Sequence, residues 1–509
     1  MKKMTTRNAP PRAGALLQAL RGLGYSTASA LADIIDNSIS AGATEIRIRF
    51  DWCGEHGEAS RIAILDNGRG MSDAELERAM TLGDKSPLDV RAANDLGRFG
   101  MGLKTASFSQ CRQLTVASRK AHTPECCLRW DLDALSSGEY PGWALFEGTA
   151  EGSEAFLSPL TTVDSGTLVL WEKLDRIVTP GSSLDHFADM IDGVEQWLAM
   201  IFHRLIASPN PHFRLFINAK PVRPWDPFMM GHPAKCWQSP PVSRTTPGGL
   251  IEMQCHVLPH KDRLSEAEFN LAAGPEGWTA QQGFYIYRNQ RLLLAGGWLG
   301  LGRAWNRDES HRLARIRLDI GNSADAEWKI DIRKSTAKPP VTLKPWLMTF
   351  AEDTRERARQ VFAFRGTLAP RTGNGVIEQA WRIEHLRNGI RYRIDPGHPA
   401  VAAVLDAAGE QTALIRAMLR VIEETVPVQR IWLDTAENRD PPRTGFSGES
   451  GEAGQDARDV LLALYQDMTV RRGMSHEAAL RILRATEPFQ NHPALLDSLH
   501  NQHQKKVDK

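Results

Sequence analysis

The chain has 509 residues, enough for about two to four domains. Hydrophobic residues make up 42% and charged residues 24%, with a formal net charge of +1; these are values of an ordinary soluble globular protein and give no overall electrostatic pull toward nucleic acid. Six cysteines, with no Cys-x-x-Cys pair, exclude a disulfide scaffold and argue against a cysteine zinc site. No apolar run approaches the ~18 residues of a membrane span. The basic first seven residues are followed by no apolar segment, so no secretory leader is expected and the expected compartment is the cytoplasm.

In chain order, residues 12–40 read as helical, with a break at Gly22, Gly24 and Tyr25. Ser26 or Thr27 can cap a second helix over roughly 29–39, with Leu31, Ile34, Ile35 and Ser38 on one side. Asp33 and Asn37 are four apart and share a face, and Asp36 lies three from Asp33. A carboxylate there can hold and deprotonate a water. An Asn oxygen can bind a hard cation such as Mg²⁺. The same residues also suit a solvated polar face. Residues 41–43 turn the chain into 44–50, whose strict alternation predicts a half-buried strand. A second strand, 61–65, runs into Asp66-Asn67-Gly68-Arg69-Gly70-Met71. A carboxylate at a strand end beside glycines can accept a hydrogen bond from an exocyclic amine such as that of adenine. Ser72 and Glu75 form a capping box for a helix, and the polar stretch 83–95 reads as a mobile lid.

The lid leads into residues 97–107, with Gly97, Gly100 and Gly102 followed by Leu103, Lys104 and Thr105. A glycine-rich loop that opens a helix offers unpaired N–H groups and a positive dipole end, a setting for phosphate. It is not a P-loop, because Leu103 separates Gly102 from Lys104. A loop running into a buried helix is the plainer alternative. Strands are predicted over 112–118 and 126–132, and Gly166-Thr167 leads into another, Leu168-Val169-Leu170-Trp171.

Four signals therefore stand in order: Asp33…Asn37, Asp66-x-Gly68-x-Gly70, Gly97-x-x-Gly100-x-Gly102 and Gly166-Thr167. Together they resemble the GHKL ATPases, the superfamily of gyrase-type topoisomerases, MutL, large heat-shock chaperones, histidine kinases and MORC proteins, over about residues 15–175. The resemblance implies a Bergerat-type α/β ATP-binding sandwich with ATP and Mg²⁺. Asn37 is then the Mg²⁺ ligand. Asp66 reads adenine N6, helped by Thr167, and Gly68, Gly70 and Met71 shape the adenine pocket. Gly97, Gly100, Met101, Gly102, Leu103, Lys104 and Thr105 belong to the phosphate loop. Asp33 takes the place of the usual Glu base, one methylene shorter, which bears on rate more than on binding.

Within the superfamily the wording is most similar to MORC proteins, in Gly100-Met101-Gly102-Leu103-Lys104-Thr105 and in residues 283–293. The latter fall in an expected transducer-type α/β domain, where strands are predicted over 212–217, 283–287 and 314–320. Such domains often send a Lys to the γ-phosphate. Lys334 is the first candidate and Lys329 and Arg333 the others; a surface basic cluster before Pro339 and Pro340 is the alternative. The expected domains are 1–188 (ATP-binding), 189–345 (transducer-like), 346–433 (helical or mixed), a linker at 434–455 and a helical module at 456–509. Thr349 to Phe364 reads as a charged helix, 381–394 as a short irregular or hairpin piece, and 401–425 as helix. No nuclease signature is found there.

The resemblance implies an ATP-driven switch that closes as a homodimeric clamp, with DNA and a nuclease or other protein as partners, in bacterial DNA processing or antiviral defence. The alternative is a weakly or non-hydrolysing ATP-sensing interaction module that gates a partner. A histidine kinase is disfavoured, since no phosphoacceptor helix precedes the ATPase region.

Overall fold

The computed structural model describes residues 12–22, 24–83, 102–137, 139–140, 143–209, 212–234, 236–302, 305–321, 324, 327–331, 336–364, 379–386, 389–428, 455–486, 489 and 494–500. The expected lid, together with Gly97, Gly100, Met101, Arg333 and Lys334, lies outside them. The chain divides into two bodies, residues 1–365 and 366–509. No helix among the described residues is long and apolar enough to cross a membrane.

The first body opens with helices α1 (Ala13–Arg21) and α2 (Thr27–Ser40). The Ser26 hydroxyl accepts the Ser29 N–H and caps α2, which is why the helix starts two residues before the expected 29. Strands β1 (Glu45–Asp51) and β2 (Arg61–Asp66) follow, then helix α3 (Asp73–Met80), helix α4 (Gly102–Phe108), strands β3 (Gln113–Arg119) and β4 (Cys126–Asp131), helix α5 (Leu132–Ser137), and strands β5 (Phe146–Glu147) and β6 (Gly166–Glu172). The capping box of α3 is present, with Glu75 accepting the Ser72 N–H. Helices α6 (Leu184–Ile201) and α7 (His203–Ala207) lead to β7 (Arg214–Ile217) and β8 (Lys220–Pro221).

These strands form one eight-stranded sheet in the order β5-β4-β3-β6-β2-β1-β7-β8. All its pairings are antiparallel except β1 with β7. In β1 the alternation is real: Ile46, Ile48 and Phe50 are buried, while Arg47 and Arg49 are exposed. The inward side chains meet Leu31, Ile34 and Ile35 of α2, Phe108 of α4 and Leu198 of α6 in one core. The opposite face is covered by the 3₁₀ segment Glu154–Thr162, with Leu160 packed against Leu65, Leu168 and Leu170.

The second sheet is built from β9 (Trp237–Gln238), β10 (Val242–Thr246), β11 (Gly249–Val257), β12 (Gly283–Arg288), β13 (Arg291–Ala295) and β14 (Ala314–Asp319), in the order β10-β11-β14-β12-β13 with β9 on β11. Helix α8 (Glu266–Ala272) lies between β11 and β12 in sequence. Strand β12 is buried on both faces. Phe284 and Ile286 join a core with Leu347, Ala351 and Ala358 of helix α9 (Lys344–Phe364), whereas Tyr285 and Tyr287 join the core of the first sheet. One strand thus ties the two sheets together, and α9 closes this body.

In the second body, β15 (Trp381–Leu386) and β16 (Gly389–Ile394) pair as the expected hairpin. The single helix expected over 401–425 is two, α10 (Pro399–Ala407) and α11 (Thr412–Thr425), separated at Gly409, whose φ is +50°. Helices α12 (Gln455–Gln466) and α13 (His476–Ala485) share a small core of Leu461, Leu464, Met468, Leu480, Leu483 and Phe489.

Candidate active site

Helix α2 organises the site. Asp33 is buried, and the Tyr25 hydroxyl donates to its Oδ2 at 3.0 Å. Asn37, one turn on, is exposed on the same face. Ser38 of the same turn donates to Asp66 Oδ2 at 2.7 Å, so α2 and the end of β2 are joined side chain to side chain. Gly102, the first residue of α4, also borders this face: a methyl at its Cβ position would stand 3.8 Å from Asp33 Oδ2. Asp33 and Asn37 thus share one face of α2, as their spacing predicts, and Asp66 and Gly102 come to the same helix.

Asp66 accepts three hydrogen bonds, from Ser38 on Oδ2 and from the Gly68 and Thr167 N–H groups on Oδ1 at 2.9 and 3.2 Å. A carboxylate offers about four acceptor directions, so one is left for an amine donor. Burial nevertheless pushes its pKa above the usual Asp value; the three donors pull the other way and do not cancel it. The neighbouring glycines are required by space. Gly70 has φ +64°, and a Cβ there would lie 1.9 Å from the Arg119 carbonyl oxygen. At Gly166 a Cβ would lie 2.1 Å from the Asp66 carbonyl oxygen. At Gly68 it would meet Ala41 Cβ and Asp66 Oδ1 at 3.0 Å. The Met71 N–H donates to Ser118 Oγ at 2.9 Å, and the same hydroxyl lies 2.9 Å from Thr167 Oγ1. Gly68, Gly70, Met71 and Thr167 therefore form one wall around Asp66.

Lys104 is the third residue of α4. It is almost fully buried, and its ammonium donates to the Ala79 and Thr81 carbonyls at 2.8 and 2.7 Å. Those are carbonyls at the C-terminal end of α3, where a cation complements the helix dipole. Leu103 packs against the first core and Thr105 is buried. Of the transducer candidates, Lys329 is exposed with φ +47°. Two residues on, Asp331 lies close enough to Tyr25 for its charge to raise the phenol's pKa, after burial and Asp33, the larger causes.

Sequence reasoning missed two residues here. Tyr25 was read only as a helix break. Asp36 was noted for its spacing alone, yet it forms a buried ion pair with Arg291 of β13, Nε to Oδ2 at 3.0 Å. No local signal links positions 255 apart.

Residues 25–167 match a family model described as a histidine kinase-, DNA gyrase B-, and HSP90-like ATPase. This region belongs to that GHKL superfamily, and the α/β sandwich it builds, its sheet completed by β6, β7 and β8, is of the Bergerat type. Among curated relatives, the DNA mismatch repair protein MutL of Shewanella woodyi is 29% identical over 208 residues, covering 39% of this chain and 29% of that protein. MutL of Herminiimonas arsenicoxydans is 30% identical over 198 residues, 38% of this chain and 28% of the relative. MutL of Histophilus somni is 37% identical over 102 residues, 19% and 16% of the two chains. The chain thus spans less than a third of the length of these relatives.

Proposed function

We propose that the protein is a Mg²⁺-dependent ATPase that works as a nucleotide-gated conformational switch. The observation that carries the reading is the convergence on α2 of Asp33, Asn37 and, through Ser38, Asp66. Asp66 reads the adenine amine with its remaining acceptor direction, inside the wall of Gly68, Gly70, Met71 and Thr167. Asp33 orients and deprotonates the attacking water. Asn37 presents an exposed oxygen for the metal; one protein ligand suits Mg²⁺, which keeps waters and phosphate oxygens for its other positions. Held there, Mg²⁺ would supply charge neutralisation to the phosphates. Gly102, at the start of α4, borders Asp33 and receives the phosphates together with Gly97, Gly100 and Met101. Lys334 is assigned to the γ-phosphate, and the closeness of Asp331, three residues before it, to Tyr25 supports the assignment.

Closure of two protomers as a clamp follows from the superfamily, and the likeness to proteins named for DNA mismatch repair favours DNA as the substrate of the switch. A nuclease or other partner protein and a role in DNA processing or defence rest on the MORC-like wording of residues 100–105 and 283–293. The test is steady-state ATP hydrolysis by the chain and by Asp33→Asn, with and without duplex DNA. Turnover abolished by the substitution and raised by DNA is expected; turnover that survives it refutes Asp33 as the base. The second reading, a slow ATP sensor, is favoured by Asp33 itself: its carboxylate is shorter than the usual Glu and one of its oxygens is already engaged by Tyr25.

A further inference from the structure

We infer that Tyr25 is a positioning residue for Asp33, an inference that rests on Asp33 being the hydrolytic base. Tyr25 lies just before α2, with its ring buried in the first core. Its hydroxyl donates to Asp33 Oδ2 at 3.0 Å. Thr105 of α4, the helix that follows the phosphate loop, stands beside the same phenol.

The chemistry of this contact is specific. An Asp carboxylate on a helix can turn about its side-chain torsions, and a base with one methylene fewer than Glu tolerates less error in where its oxygen points. The phenol holds Oδ2 and so directs Oδ1 toward the water. Burial first, then the charges of Asp33 and Asp331, disfavour ionisation of the phenol, with Thr105 pulling the other way, so the hydroxyl stays a donor. Tyr25 also lines a cavity of about 530 Å³ with Arg21, Thr27, Gln110 and Arg176. Tyr25→Phe removes the hydroxyl and keeps the ring.

The experiment compares full-length wild type, Tyr25→Phe and Asp33→Asn. ATP affinity is read by calorimetry, kcat and KM by steady-state hydrolysis, and folding by thermal melting. Tyr25→Phe is expected to bind ATP within about threefold of wild type while kcat falls about 10- to 100-fold, the scale of a misplaced catalytic group. A dead Asp33→Asn beside a Tyr25→Phe with wild-type kcat overturns this inference alone. Undiminished turnover in Asp33→Asn, or no turnover in wild type, overturns the assignment of the base and this inference with it. A Tyr25→Phe variant that loses kcat and ATP affinity in parallel assigns the residue to binding and also overturns it.

Discussion

The buried pair Asp36–Arg291 offers a quantitative test of how helix α2 is anchored. Both side chains are 2% exposed or less, and Arg291 Nε lies 3.0 and 3.1 Å from the two carboxylate oxygens. Asp36 sits on α2, between Asp33 and Asn37; Arg291 begins β13 of the second sheet. Arg291→Met keeps most of the volume and removes the charge, leaving the carboxylate in the interior. Breaking a buried pair in this way costs about 3–5 kcal/mol, against about 0–1 kcal/mol for an exposed one. Replacing both partners, as Asp36→Leu with Arg291→Met, removes the stranded charge and restores most of the loss. Urea unfolding followed by tryptophan fluorescence reads the right body, since all of the 14 tryptophans except Trp381 and Trp432 lie within residues 1–365. A loss below about 1 kcal/mol for Arg291→Met, the value of a solvated pair, refutes the reasoning.

Three further outcomes follow from the site. Asp66→Asn removes an acceptor and sets an amide among three donors, so ATP affinity measured by calorimetry falls about 10- to 100-fold; unchanged affinity refutes the adenine-reading role. Lys104→Met strands the Ala79 and Thr81 carbonyls, so stability to urea falls by about 3 kcal/mol while ATP affinity changes little; a tenfold loss of affinity at unaltered stability instead restores Lys104 to the phosphates. His203 and His256 are buried between the two sheets' elements, and burial lowers their pKa values from 6.5 to about 3 and about 4. Their contribution is fully present above pH 6.5 and is lost as pH falls toward those values, because the unfolded chain takes up protons that the folded one does not. By pH 5 each costs about 2 kcal/mol. Urea midpoints at pH 7.5 and 5 test this, and equal stability at both contradicts it; His256→Leu removes one proton's share of the slope.

What the sequence made legible was local. The alternation of β1, the cap at Ser26 and the Ser72–Glu75 box each involve neighbours within a few positions, and each is present. The same holds for the strand end carrying Asp66 and for the glycines beside it, because a required glycine marks close backbone approach whatever the tertiary fold. The unread features are those made by folding the chain back on itself. Lys104 follows a glycine-rich loop, so its spacing spoke for phosphate; the tertiary fold instead brought the carbonyl end of α3 to its ammonium. Arg291 sits beside Leu292 in a run of apolar residues, where nothing announces a carboxylate on α2 as partner. The strand pair β10–β11 was unread because Val242–Thr246 is mostly exposed and polar, with no alternation to betray it. Gly409 splits α10 from α11 by a positive φ that a helical pattern alone does not reveal.

The central claim is that ATP binds on the face of α2 that carries Asp33 and Asn37, and that Asp33 serves its hydrolysis. Calorimetric titration of ATP with Mg²⁺ into wild type and Asp33→Asn, followed by phosphate release from the same samples, tests it most directly. The prediction is saturable binding to both proteins, with phosphate released by wild type alone. No saturable binding to either protein would contradict the account at its root.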